Sequence, residues 1–205
     1  MKSITLLAAT AWLLAGCGAS LFPKPAPPPA RYALERPAAT VAPAAVPVRV
    51  GAPTLMLSSP STAPGYDSRR MAYQRETQRI DFFADSEWME PPARLLTPLL
   101  QHALERSGAY RAVLLAPVNA AVDLRLDSEL VQLVHDFRLQ PSQVRWVLRI
   151  TLVDVATRRL LGTRELTVAV AAPSEDAAGG VRAAQRAAEQ LAADVALAVA
   201  GMTPR

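Results

Sequence analysis

Between Val144 and Ala200 the chain changes its hydrophobic period once, and that change limits the fold more than any other feature. Val144, Trp146, Leu148, Ile150 and Leu152 alternate with positions that include Arg145, Arg149 and Thr151. Period two is the pattern of a strand with one buried face. Asp154 to Arg159 reads as a turn, and Leu160 to Ala171 returns with Leu166, Val168 and Val170 inward, so the pair makes a long antiparallel hairpin. From about Asp176 to Ala200 the spacing becomes three and four: Val181, Ala184, Ala188, Leu191, Val195 and Val199 form one stripe, and Arg182, Gln185, Arg186 and Glu189 lie off it. This is an amphipathic helix, about 36 Å long at 1.5 Å per residue. Its Ala-rich stripe permits close approach, so it is expected to cover its own sheet.

The upstream segments supply the rest of that sheet. Tyr32-Ala33-Leu34 reads as an edge strand, Pro37 to Pro47 as a loop, and Val48 to Leu57 as a strand interrupted by Pro53. Met71 and Tyr73 share one strand face, Ile80 and Phe82 another, with Arg75 to Gln78 as the turn between them. A first helix can start at Pro92, because proline at the first helical position forfeits no needed hydrogen bond. Leu95, Leu96, Leu99, Leu100, Ala103 and Leu104 form its apolar stripe, Pro98 is expected to kink it or delay its regular part, and Gly108 suits the residue after its end. Val122, Leu124 and Leu126 alternate with Asp123, Arg125 and Asp127, and a bulge is expected around Asp127 to Glu129. The result is an α/β domain of two layers, with a mostly antiparallel mixed sheet of six or seven strands and two main helices.

The N-terminus sets location. Lys2 precedes an apolar run from Ile4 to Leu14, too short to span a bilayer and built as a secretory signal. Leu14-Ala15-Gly16-Cys17 resembles the lipobox of bacterial lipoproteins, in which cleavage leaves Cys17 as a diacylglyceryl-modified, N-acylated (palmitate-bearing) first residue. Residues 1–16 are then the lipoprotein signal peptide, and Cys17 is the lipidation site. It is also the sole cysteine, so no internal disulfide competes for it. Residues 17–31 form a tether: Pro23, Pro25 and Pro27 to Pro29 favour polyproline II, which at about 3.1 Å per residue holds a domain roughly 40 Å from the membrane. Residues 32–205 form the domain. Gly18 follows the cysteine and no Asp stands there to signal inner-membrane retention, so attachment to the outer membrane, facing the periplasm, is expected. The net charge of +4 comes mostly from arginines spread along the chain, which gives no basic patch and no expectation of nucleic acid.

The chemistry-bearing residues do not gather into a known motif. There is no Gly-x-Ser-x-Gly elbow, no His-Glu-x-x-His and no phosphate-cradling glycine loop. His102, on the first helix, and His135, near a strand end, read as surface or boundary residues. Asp123 and Asp127 fall on the outward side of a strand, and Trp88 and Trp146 read as core anchors. No catalytic residue, metal or cofactor is expected, and the chain reads as a non-enzyme.

Tyr32-Ala33-Leu34 after the lipobox, Arg70-Met71-Ala72-Tyr73, Trp88-Met89-Glu90-Pro91-Pro92, Ser107-Gly108-Ala109-Tyr110 with Val113, and Asp154 to Leu160 stand in the order and spacing of the ABC-type transport auxiliary lipoproteins. The resemblance extends from Tyr32 to about Ala200. It implies an α/β domain and an accessory role beside an ABC permease, its ATPase and a periplasmic MCE-domain subunit that move phospholipid between inner and outer membranes. Contact with phospholipid itself and assembly into a homo-oligomer are compatible with such a role. The sequence departs from the family at Pro98, where the helix usually runs unbroken, and at Arg158, where glycine is common. A structural or regulatory lipoprotein docking on cell-wall synthesis or outer-membrane assembly machinery shares anchor, tether and domain, and stands as the alternative.

Overall fold

A computed structural model describes residues 27–36 and 51–204; Cys17, most of the tether, the loop at 37–47 and Val48 to Val50 lie outside them. The sheet is organised on one strand, β7 (Leu124–Asp136), which pairs along its whole length with β8 (Gln143–Asp154) on one side. Its other edge is shared in succession by β2 (Thr54–Leu57), β3 (Ser61–Thr62) and β4 (Arg70–Glu76), all parallel to it. Outward from β2 lies β6 (Ala112–Leu115), and outward from β4 lie β5 (Arg79–Trp88) and then β1 (Ala30–Tyr32). Beyond β8 lies β9 (Arg159–Ala171). The two long ladders, β7–β8 and β8–β9, are antiparallel, as the alternation at Val144 to Val170 requires.

The sheet has nine strands, two or three more than the pattern predicts. The surplus comes from β3 and β6, which are two and four residues long and too short to carry a period, whereas β1 is the edge strand expected at Tyr32. Pro53 precedes β2 and does not interrupt it. The bulge in β7 also falls later than expected. Leu130 pairs with Leu148 and Gln132 with Val147, so Val131 is the extra residue. Ser128 keeps the inward parity of Leu124, Leu126 and Leu130 although it is polar, which is why the register survives past Asp127.

Both helices cover one face. Helix α1 (Pro92–Arg106) starts at the predicted proline and ends before Gly108, whose φ of 65° places it in the left-handed region. The helix continues through Pro98 without a break. The missing N–H deprives only the carbonyl of Arg94, an exposed residue in the first turn, and the hydroxyl of Thr97 bonds the neighbouring carbonyl of Ala93 at 3.0 Å. Helix α2 (Ala177–Met202) is capped by Asp176, whose side chain accepts from the N–H of Gly179 at 2.6 Å. Ala184, Ala188, Leu191, Val195 and Val199 are buried, whereas Val181 lies at the margin of the stripe. The indole N–H of Trp146 donates to the carbonyl of Ala184 at 3.2 Å, one polar tie between sheet and helix within an apolar core.

The opposite face of the sheet is polar. Arg149 reaches Glu129 on β7 at 2.7 Å and Glu165 on β9 at 2.9 Å, directly across both ladders. A one-sided antiparallel sheet shows this division, apolar under the helices and charged outside.

Candidate functional site

The densest group of chemistry-bearing side chains lies where β7 ends. After the bulge, the inward parity passes to Leu133 and His135. The imidazole is only 4% exposed, so His135 belongs to the core and not to the surface or boundary. Its Nε2 is 2.8 Å from the hydroxyl of Ser142, which is fully buried, and its ring stacks on Phe137 with centroids 4.0 Å apart. Glu175 accepts the backbone N–H of Ser142 at 2.9 Å. Asp136, on the opposite face of β7, is buried beneath Arg138 and Arg145 at 2.7 and 3.0 Å.

The electrostatics follow from these contacts. Burial holds the His135 pKa below its ordinary value, against the opposing pull of Glu175, Asp176 and Asp136. Arg138, by its side-chain hydrogen bonds, keeps Asp136 ionised well below the usual carboxylate range. The backbone N–H groups of Ser142 and Gly179 do the same for Glu175 and Asp176.

A serine, a histidine and a carboxylate therefore meet, but in the wrong order for nucleophilic catalysis. A triad needs the acid on the histidine's second nitrogen and an exposed serine oxygen. Here the acid holds the serine's backbone, Nδ1 of His135 has no partner, and both side chains are sealed from solvent. The cluster is a clamp that joins the end of β7, the β7–β8 loop and the start of α2. Asp123 and Asp127 are likewise spent on structure: Asp123 accepts the N–H of Thr54 at 2.7 Å, and Asp127 accepts the hydroxyl of Ser58 at 2.6 Å and the Arg125 guanidinium at 3.0 Å. Trp88 and Trp146 are buried core residues. Among the described residues no cluster of acids, histidines or cysteines could hold a metal ion.

Solvent reaches a groove of about 460 Å³ between α1 and α2. Leu99 and Ala103 form one wall, and Ala192, Ala196 and Leu197 the other. His102 and Arg106 line it from α1, and Glu189 from α2. Leu197 is 74% exposed. The stripe of the sequence reading did not include it, although the signal was present: Val195 to Met202 contains no polar side chain. No described helix is long and apolar enough to cross a membrane.

The family model of the ABC-type transport auxiliary lipoprotein component matches residues 32–196. The chain belongs to that family. The expected departures of this auxiliary lipoprotein at Pro98 and Arg158 are accommodated within the fold, by the unbroken α1 and by a turn in which Arg158 takes a φ of 57°. Among solved structures, protein XCC0632 from Xanthomonas campestris is similar at 21% identity, with 85% of this chain and 94% of that one covered and a TM-score of 0.68. An uncharacterized protein is similar at 13% identity, with 84% and 99% covered and a TM-score of 0.65. The hypothetical protein CT253 from Chlamydia trachomatis follows at 8% identity, with 73% and 96% covered and a TM-score of 0.51. These likenesses show a shared fold. No curated protein is significantly similar to the chain.

Proposed function

We propose that this lipoprotein is a non-enzymatic accessory of an ABC/MCE-type phospholipid transport system, anchored through Cys17 in the outer membrane and facing the periplasm. The observation that carries the reading is the family match across residues 32–196. The geometry supports it in two ways. The Ser142–His135 pair is sealed and lacks an acid on Nδ1, so the described residues offer no hydrolytic centre on it. Solvent does reach an apolar groove between helices, the kind of surface that docks a helix or another apolar partner.

A phospholipid crossing an aqueous gap needs a conduit, and a tethered domain assists by docking one. Tethering raises the effective concentration of the domain near its partners without any new contact. The expected partners are a periplasmic MCE-domain subunit and, through it, the permease and ATPase. Purification of the native lipoprotein in mild detergent, with mass spectrometry of everything retained, tests this. Transporter subunits are the expected co-purifying proteins. Recovery of cell-wall synthases in their place, or turnover of a phospholipid ester by the purified protein, overturns the reading.

A further inference from the structure

We propose that the end of the domain where β4 turns into β5 and β7 into β8 rests on the membrane that holds the anchor, in contact with zwitterionic phospholipid headgroups. The lipid at Cys17, taken from the reading above, decides only which end faces the membrane. Strand β1 runs parallel to β5, with Ala30 beside Ser86 and Tyr32 beside Trp88. Because β5 starts at Arg79, the chain comes to β1 from the side of the β4–β5 turn. The β7–β8 loop lies at that same end. Tyr73 and Gln74 pair with His135 and Asp136, and the N–H of Phe137 donates to the carbonyl of Gln74 at 2.8 Å. Pro27 stands ten positions after Cys17, which limits their separation to about 35 Å even in a fully extended chain. A tether of that length sets the greatest distance of this end from the surface and lets it come down.

The side chains there suit a bilayer interface. All three phenylalanines of the described residues, Phe82, Phe83 and Phe137, belong to β5 and the β7–β8 loop. Tyr73 packs against Phe83 and Phe137 with ring centroids 4.9 and 5.9 Å away, and these rings are partly exposed. The Arg75 guanidinium lies 5.5 Å from the centre of the Tyr73 ring and 5.1 Å from that of Phe137. In the loop Leu139 is 47% exposed, and at the start of β5 Ile80 is 37% exposed. Aromatic rings, an arginine head and projecting aliphatic side chains are what the boundary between headgroups and acyl chains takes up. The far end of the sheet also exposes Val155 and Leu160, but Asp154 to Leu160 contains no aromatic residue and the tether does not enter there. Charge selects the lipid. Arg79 sits between Glu76 and Asp81 at 3.6 and 3.1 Å, and exposed Glu175 holds the loop at Ser142. An anionic surface would repel these carboxylates. A headgroup with a phosphate and an ammonium meets both signs, the phosphate at Arg75 and the ammonium at Glu76.

Cys17 is the sole cysteine and is spent on the lipid, so a cysteine introduced elsewhere takes a fluorophore alone. The mature lipoprotein, held in vesicles of phosphatidylethanolamine and phosphatidylcholine, carries an environment-sensitive probe on Leu139→Cys, Ile80→Cys or Leu160→Cys in turn. All three side chains are exposed, so the melting temperature should not move. A phospholipid bearing a nitroxide just below its headgroup should quench the probes at 139 and 80 at least about fivefold more than the probe at 160. With the probe at 80, adding Leu139→Asp should cut quenching at least about threefold, because a charge replaces the inserted side chain. The contrast should survive about 1 M salt, where the Debye length is about 3 Å, and adding phosphatidylglycerol should not raise it. Equal quenching at the three positions, or quenching confined to 160, overturns the proposal. So does quenching that needs phosphatidylglycerol or vanishes in salt, which would give the contact to anionic lipid. Mass spectrometry of the mature chain separates the two failures. A chain without acyl groups on Cys17 overturns the anchor and the contact together, whereas an acylated chain with no contrast overturns the contact alone. The transport role is read by co-purification and stands or falls apart from both.

Discussion

A Cβ atom added to Gly180 would lie 2.5 Å from Nδ1 of His135. The ring has no room to retreat, because Ser142 holds Nε2 at 2.8 Å and Phe137 stacks on the ring at 4.0 Å. The first turn of α2 is thus docked on a bare backbone, and the glycine is what lets helix and imidazole meet.

Gly180→Ala should therefore destabilise the domain by about 1–3 kcal/mol through overpacking, although alanine raises helix propensity by about 1 kcal/mol. Gly201, in the last turn of the same helix, is the internal control. An added Cβ there meets nothing within 4 Å, so Gly201→Ala should be neutral or stabilising by up to about 1 kcal/mol. Urea melts of the two variants check the contrast. In a His135→Ala background the Gly180→Ala penalty should disappear, the coupling expected of residues in contact.

The same imidazole gives a pH dependence with a definite sign. Its folded pKa lies below the ordinary value of about 6.5, so the unfolded chain takes up a proton that the folded chain refuses. Stability is full above about pH 6.5 and falls as the pH drops below it. The carboxyls of Asp136, Glu175 and Asp176 have depressed pKa values, and their contribution is lost only further down, below about pH 4. Between those limits the slope of unfolding free energy against pH belongs to His135. His135→Gln is expected to flatten it in that window while lowering stability throughout, and an unchanged slope would assign the titration elsewhere.

The face of α2 can be tested by a pair of truncations. Leu191 is fully buried over the sheet, whereas Arg186 is exposed and gives one hydrogen bond to the carbonyl of Ala171. Leu191→Ala should cost about 2–5 kcal/mol. Arg186→Ala should stay within about 0.5 kcal/mol of wild type. Equal losses in denaturant melts would mean that a different stripe faces the core.

Those elements were legible because their signals are local. The alternation from Val144 to Leu152, the return through Val170 and the Ala-rich stripe each lie within one element, and the two-layer fold follows from them. The sharing of one edge of β7 by β2, β3 and β4 was not legible, since short parallel pairings join segments far apart in sequence and leave no period. His135 was misplaced for a related reason. Its burial depends on an extra residue at Val131 that reverses the parity of everything after it, and a polar residue in the inward row at Ser128 obscured where that reversal happens. The glycine pair Gly179-Gly180 at the head of a helix was the available signal, because glycine there weakens the helix unless another group must come close. Solvent-facing Leu197 was missed because a stripe defines one face and says little about a segment that is apolar on all of them.

Arg158 completes the turn between β8 and β9 with a φ of 57°, in the region where a side chain costs about 1 kcal/mol and glycine nothing. The turn is otherwise well held: one carboxylate oxygen of Asp154 accepts both the N–H and the hydroxyl of Thr157 at 2.8 Å. Replacing Arg158 should thus release strain without loss of contacts. Glycine removes the steric cost but also frees the unfolded chain, which offsets about 0.4–1 kcal/mol of the gain. Asparagine tolerates the left-handed conformation and does not add that freedom. The expected order of thermal stability is Arg158→Asn first, then Arg158→Gly level with or slightly above wild type, and Arg158→Val below it, because a β-branched side chain suits this φ least. Melting temperatures of the four chains decide the matter, and a valine variant as stable as the asparagine one would show that the turn relaxes out of the left-handed region.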